Sequence, residues 1–335
     1  MKRTQYHSEE ERGSAYVELW RKNPKLLPEL LGNFYDTSPR GVLLRRLLLA
    51  THIPPRWMEV AGNWIVSLVG KEKWSVFLLQ YGFWFGVYRS IRNHATWTRL
   101  TQGVPILMYH AFGGPGEGAS RFVLPVRKFK IQMWILRFLK YHVIRLDDYL
   151  KYMENGQLPP ERSIILTIDD GYEDNYSLAY PILKQFGFPA TIFLVSSYLG
   201  QTNRWDRDEI LTGRALFGLT AAKEMQNDGI SFGSHTRTHP FLTRLSQQQT
   251  REEICQSKAD LEQNLGIRIR LFSYPYGDYD DQVAAAVKET GFDGACTTDT
   301  GLNTFQTSTF ALRRTEIFGT FSLWRFLRAV FSGVS

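Results

Sequence analysis

Cysteine is nearly absent from this chain of 335 residues: there are two, Cys255 and Cys296, too few for a disulfide framework. Both fall in segments that read as buried faces, and such sparse use is compatible with a reducing compartment. No apolar run reaches the roughly twenty residues that a bilayer span requires. The most apolar stretch lies within KWSVFLLQYGFWFGVYRS (73–90) and is interrupted by Gln80. The opening residues, MKRTQYHSEEERGSAY, carry basic side chains with no apolar run behind them. No secretory signal is therefore expected, and the expected location is cytoplasmic, at the inner face of a membrane. A Lys/Arg block and an RNA-type aromatic motif are also missing, which excludes nucleic acid as the expected partner. Lysine and arginine outnumber aspartate and glutamate by 40 to 33, for a net charge of +7. The basic residues are dispersed, densest at Arg40, Arg45 and Arg46 and at Arg268 and Arg270, so the excess reads as a solvated surface with a weak preference for anionic partners. There is no internal repeat and no low-complexity segment.

What is present falls into two unequal parts, 1–103 and 104–335. From 16 to 100 the chain is rich in Leu, Trp, Phe and Arg at helical spacing, as in GVLLRRLLLA (41–50) and the 73–90 run, and three or four helices are expected. The 74–88 segment admits two readings. One is a helix buried in its own domain; the other is an interfacial helix flanked by Lys71, Lys73, Arg89 and Arg92, giving peripheral membrane contact. NPKLLPEL (23–30) and YGFWFGVYRSIR (81–92) faintly resemble the C-terminal tail of membrane-associated family-two glycosyltransferases. The nucleotide-sugar and metal motifs of those enzymes are absent, so transferase activity does not follow.

After Gly103 short apolar runs alternate with amphipathic ones. PILMYH, VIRL, SIILTIDD, ATIFLVSS, ISFGSH, RIRLFSY, FDGACTT and FALRRTEI read as strands, and helical stretches such as VRKFKIQMWILRFLKY and SQQQTREEICQSKADLEQNLG separate several of them. Strands alternating with helices imply a parallel α/β sheet, and seven or eight such units suggest a barrel. Gly187, Gly229, Gly266 and Gly291 stand where helices should stop.

The polar residues of this part gather at strand ends: His110 after PILMY, Asp169 and Asp170 after SIILTI, His235 after ISFGS, and Tyr274 to Tyr276 after RIRLFS. In a parallel barrel those ends form one face, which carries the chemistry. His235 and His239 in HTRTH are four apart, a spacing that brings two imidazoles to one side of a helical turn. A carboxylate completes a three-ligand cation site with open positions, and Asp170 is the natural third ligand. Asp169 is then free to act as general base on a water that the cation polarises. Two adjacent carboxylates would otherwise repel; a divalent ion gives each a separate role.

LTIDDGY (166–172), SHTRTH (234–239) and FSYPYG (272–277), in this order, resemble the first three motifs of the polysaccharide deacetylases, the NodB-homology family of carbohydrate esterases. PILMYHAF (105–112) before them and LRRTEI (312–317) after them resemble the variety that acts on poly-β-1,6-N-acetylglucosamine. The resemblance covers about 104–318. It implies a deformed (β/α)7 barrel preceded by a smaller helical region, and one divalent metal, usually zinc with other transition metals able to substitute. Carried over, the metal ligands are Asp170, His235 and His239, and the base is Asp169. Pro275 would stiffen the FSYPYG turn, the Tyr276 N–H would face the oxyanion, and Tyr274 and Tyr276 would stack on sugar rings. Two departures stand out. Many members have an arginine where this chain has Ser273; Arg314 is the candidate replacement, ahead of Arg313. The late leucine-x-histidine motif that supplies the general acid is missing, since no histidine follows His239, and His110 is the candidate in its place.

The expected reaction is removal of the N-acetyl group from an N-acetylglucosamine-type sugar in a polysaccharide or a lipid-linked molecule. The missing late histidine keeps a second reading open, a carbohydrate-binding or membrane-scaffold protein of weak activity. A third is hydrolysis of another C–N bond by the same metal chemistry.

Overall fold

The structure, a computed structural model, describes residues 2–27, 48–49, 51–55, 57–58, 71–91, 93–101, 103–114, 116–117, 120–205 and 211–334. The chain divides into two compact units, one of Met1–Gln102 with Tyr152–Leu158, the other of Gly103–Lys151 with Pro159–Ser335. The expected helix at 41–50 lies outside the described residues apart from 48 and 49.

The first unit contains α1 (Lys2–Lys22), α2 (Lys71–Ile91) and α3 (His94–Thr101). Glycine lets α1 and α2 touch backbone to backbone. A Cβ added to Gly13 would lie 2.1 Å from the Phe83 carbonyl oxygen, and one on Gly86 would lie 2.0 Å from that of Glu10. On α2 the aromatic residues Tyr81, Phe83 and Trp84 are fully buried. Phe83 meets Tyr16 of α1 edge-on at 5.3 Å, and Trp84 meets Trp97 of α3 at 5.4 Å. These rings form the unit's own core, so the buried reading of the 74–88 segment stands and the interfacial one does not. Among the described residues no helix is long and apolar enough to cross a membrane.

The second unit is built on β1 (Ile106–Tyr109), β2 (Ala111–Gly113), β3 (Val123–Pro125), β4 (His142–Val143), β5 (Ser163–Ile168), β6 (Thr191–Leu194), β7 (Ser231–Ser234), β8 (Leu271–Ser273), β9 (Gly294–Cys296) and β10 (Thr315–Glu316). The main sheet runs β10-β1-β5-β6-β7-β8-β9, every pair parallel, with β4 beside β5. A parallel bridge, Cys296 to Leu312, joins β9 to the segment that leads into β10, the Leu312 N–H donating to the Ala295 carbonyl at 2.9 Å and the Thr297 N–H to the Leu312 carbonyl at 2.8 Å. The result is a curled sheet closed between β9 and that segment, a deformed seven-stranded barrel. All six residues of β5 are buried, as a central strand covered on both faces requires.

The helices of this unit are α4 (Val126–Phe138), α5 (Leu146–Glu154, of which the residues from Tyr152 on belong to the first unit), α6 (Tyr180–Phe186), α7 (Leu219–Asn227), α8 (Gln247–Leu265), α9 (Asp281–Glu289) and α10 (Leu323–Ser332). Ser246 starts α8 with a capping box to Gln249, which satisfies the first free backbone N–H groups. The four expected glycine stops all have positive φ. α5, α10 and the β2–β3 pair are additional to the alternation read from sequence. Cys296 is buried in β9, but Cys255 is exposed on α8, which corrects its expected burial.

Candidate active site

β5 delivers the two carboxylates. The Asp169 N–H donates to the Tyr109 carbonyl at 2.9 Å, which continues the ladder with β1, and the chain then turns sharply. Asp170 and Gly171 both adopt left-handed conformations, φ 76° and 77°. A Cβ on Gly171 would come within 2.8 Å of a Leu194 methyl, so the turn needs glycine for space as well as for φ. The reversal sends Asp169 and Asp170 to different partners.

β7 delivers the histidines, through a loop rather than the helical turn expected from their spacing. The His235 N–H pairs with the Leu194 carbonyl at 2.8 Å; Thr236 and His239 then take φ 68° and 65°. Thr236 Oγ1 accepts from the His239 N–H at 2.9 Å. Glu253 of α8 accepts from the N–H groups of Arg237 (3.0 Å) and Thr238 (2.8 Å) and from the Thr238 hydroxyl (2.7 Å). Left-handed non-glycine residues are costly, on the order of 1 kcal/mol each, and persist where surrounding contacts determine them. Four of them, Asp170, Thr236, His239 and Tyr276, gather at this end of the sheet.

Asp170, His235 and His239 converge, with one ligand-type atom from each lying within 4.8 Å of the others. Asp170 Oδ1 is 3.6 Å from His235 Nε2 and 3.4 Å from His239 Nε2, and the two Nε2 atoms are 3.2 Å apart. His235 Nδ1 lies 2.8 Å from the Ser273 carbonyl oxygen. An N–H there leaves Nε2 with its lone pair toward the cluster, the tautomer a metal ligand needs. Burial pushes both imidazoles below the usual histidine range, His239 well below, with His235 beside it acting in the same direction. Neutral imidazoles facing one carboxylate in a buried pocket form a donor set that fits a divalent cation.

Asp169, beside this cluster, pairs with Arg314. Nη1 and Nη2 donate to Oδ1 and Oδ2, both at 2.7 Å. Arg314 is wholly buried and also donates to the Thr297 carbonyl (2.9 Å), the Thr167 hydroxyl (3.3 Å) and the Ser273 hydroxyl (2.8 Å). Burial alone would raise the Asp169 pKa; the charge of Arg314, the charge of His235 and the guanidinium hydrogen bonds overcome it and hold the carboxyl well below the ordinary aspartate range. Arg313, the other candidate, is exposed.

The remaining candidates separate. Tyr276, φ 59° and 42% exposed, stands edge-on to His239 at 4.6 Å and stacks on Phe241 at 4.0 Å. Pro275 is buried in the turn before it. Tyr274 is not a groove residue: it has no exposed surface, stacks on Tyr279 at 4.8 Å, and donates to the Phe310 carbonyl at 3.0 Å. Alternation along a strand would put residues two apart on one side; the tight turn at Pro275–Gly277, with Tyr276 in a left-handed conformation, is what separates Tyr274 from Tyr276. His110 follows β1 directly with a 17% exposed side chain, Nδ1 3.4 Å from Glu316 Oε1, close enough for its charge to be felt at Asp169 and His239. Burial raises the Glu316 carboxyl above its ordinary value, with His110 acting against it. Three contributors were not anticipated. Trp205 stacks on His239 at 4.9 Å, Phe241 backs Tyr276, and Glu253 holds the histidine loop. Phe241, two residues past His239, carried a sequence signal; Glu253, on the polar face of a long helix, carried none.

A model of the family described as polysaccharide deacetylase matches residues 156–295. YxkH of Bacillus subtilis (strain 168), whose name assigns it to the polysaccharide deacetylases, is 29% identical over 214 residues, covering 64% of this chain and 71% of that protein. A poly-beta-1,6-N-acetyl-D-glucosamine N-deacetylase of Staphylococcus epidermidis is 30% identical over 174 residues, covering 49% of this chain and 57% of the relative. Among solved structures, the Streptococcus pyogenes deacetylase PplD in complex with acetate superposes with a TM-score of 0.60 at 27% identity, covering 68% of this chain and 98% of that one.

Proposed function

We propose that this chain, matched over residues 156–295 by the polysaccharide deacetylase family model, is a metal-dependent hydrolase that removes N-acetyl groups from an N-acetylglucosamine-type polysaccharide. The observation that carries the reading is the pairing of two structures at one sheet end: the Asp170–His235–His239 donor set and, beside it, the Asp169–Arg314 ion pair. His235 Nε2 lies 3.8 Å from Asp169 Oδ2, so ligands and base share one pocket.

A divalent cation held by Asp170, His235 and His239, zinc in this proposal, supplies Lewis acidity to a water and to the amide carbonyl when bound. Asp169 takes the proton of the attacking water. Arg314 keeps it ionised and fixes its plane, leaving outward lone pairs for that proton. The Tyr276 N–H stabilises the oxyanion. His110, oriented by Glu316, gives a proton to the departing nitrogen; the C–N bond breaks, and acetate and a free amino sugar result. Tyr276, Phe241 and Trp205 offer aromatic surface for a sugar ring. The proposed carrier is a poly-N-acetylglucosamine chain or a lipid-linked precursor, either of which presents the same acetamide. A complete donor set with a charged base favours turnover over a binding role.

The test is acetate release from short N-acetylglucosamine oligomers by the purified chain, with and without chelator, alongside Asp169→Asn. Release that requires metal and is lost in the variant supports the proposal. A folded, metal-loaded protein that releases no acetate from oligomers or from lipid-linked N-acetylglucosamine overturns it.

A further inference from the structure

The starts of α4 and α10 lie near each other on the second unit, and so do their ends, so the two helices run in the same direction. Lys128, in the first turn of α4, donates to the carbonyls of Gly319 (2.8 Å) and Phe321 (3.3 Å), just ahead of α10. Tyr141, three residues past α4, lies 6.4 Å ring to ring from Phe331 near the end of α10. Each helix buries one apolar face in the barrel's core, Phe129, Met133 and Leu136 from α4 and Phe326, Ala329 and Val330 from α10. An ordinary surface helix would be polar on its other side.

These two are not. On α4, Ile131 (53% exposed), Trp134 (56%) and Phe138 (68%) share the outward stripe, and the two rings stack at 5.2 Å. On α10, Leu323 (53%), Trp324 (80%) and Phe331 (55%) are equally open. The polar residues among them have one sign. Arg127 and Lys130 stand on the α4 face, Arg325 and Arg328 on the α10 face, and neither helix contains an aspartate or glutamate. Large apolar side chains left in water next to basic ones with no acidic counterpart suit a surface that is negative at its boundary and apolar just beneath. A soluble polyanion would pair with the arginines and leave the tryptophans unexplained.

We infer that the paired faces of α4 and α10 dock the protein on an anionic lipid surface, Trp134, Phe138, Trp324 and Phe331 entering the headgroup layer and the flanking arginines and lysine pairing with lipid phosphates. The inference is independent of the deacetylase reading and differs from the membrane contact expected of the aromatic N-terminal run, whose rings are buried.

The test is co-sedimentation of the full chain with vesicles of phosphatidylcholine alone and with vesicles that also contain phosphatidylglycerol. The chain binds the anionic vesicles at least about tenfold more tightly, and added salt weakens the binding. Trp134→Ser combined with Trp324→Ser, and separately Arg325→Glu combined with Arg328→Glu, each reduce it by about tenfold or more. Trp57→Ser, at a tryptophan 62% exposed in the first unit, leaves it unchanged. Near-ultraviolet circular dichroism confirms that each variant is folded whether or not acetate release is detected. No binding by the unaltered chain, binding that both double variants retain, or binding lost only with Trp57→Ser overturns the inference. So does a dimer in solution that the tryptophan double variant dissociates, which would make the face an interface between copies.

Discussion

Asp169 and Arg314 lie 145 residues apart in the chain and meet through two 2.7 Å hydrogen bonds with both side chains buried. Ser273 of β8 accepts from the same guanidinium at 2.8 Å. The guanidinium comes from the residue just before β10, and the small serine leaves room for it. Arg314→Ala strands a buried carboxylate and should cost about 3–5 kcal/mol of stability. Arg314→Lys keeps the charge but loses the planar fork, so the melting temperature falls less while kcat for acetate release drops roughly 10–100-fold. Paired thermal melts and turnover measurements check both; an Arg314→Lys enzyme at full rate would show that the fork is not needed.

Much of this was legible in the sequence because strand ends in a parallel sheet face one way: Asp169, Asp170 and His235 could be gathered from periodicity alone. The geometry between them was not. H-x3-H suggests a helix, whereas the loop here depends on Thr236 and His239 adopting left-handed conformations imposed by Ser234, Thr236 and Glu253 hydrogen bonds. Aromatic identity likewise did not separate Tyr274 from Tyr276, because both suit a sugar groove and only the direction of each side chain decides.

That separation is testable by where each substitution acts. Tyr274→Phe removes the hydroxyl that donates to the Phe310 carbonyl in a part-buried contact. It should cost about 0.5–1.5 kcal/mol of stability and leave KM for oligosaccharides unchanged. Tyr276→Ser removes exposed aromatic surface beside His239. It should raise KM roughly tenfold or more, as losing a sugar-stacking ring does, with little change in melting temperature. The opposite assignment of effects would return Tyr274 to the groove.

The two thiols should behave differently under a single reagent. Burial pushes the Cys296 thiol up to about 12, so at pH 8 it is both protonated and shielded. Cys255 is exposed on α8. A disulfide dye reagent should therefore titrate one thiol in the native protein and two after denaturation, and Cys255→Ser should abolish the native reaction. Rapid native modification of Cys296 would mean that the β9 edge of the barrel opens readily.

Glu253 makes the most distant claim on the metal site. Its carboxylate touches none of the three candidate ligands, yet it collects two backbone N–H groups and a hydroxyl from Arg237 and Thr238, two of the three residues between His235 and His239. Without it the loop retains the Thr236–His239 hydrogen bond but loses the tie to α8, and His239 is free to leave its left-handed conformation. Glu253→Ala should therefore weaken metal binding roughly 10–100-fold. Competition with a chromophoric chelator measures this directly. The melting temperature of the metal-free protein should change little, because the half-buried Glu253 carboxylate supports only the loop. Supplying excess zinc should then restore most of the acetate release, since the variant still has all three ligands and the base. A variant that binds metal with unaltered affinity would show that the loop holds its shape through Ser234 and Thr236 alone.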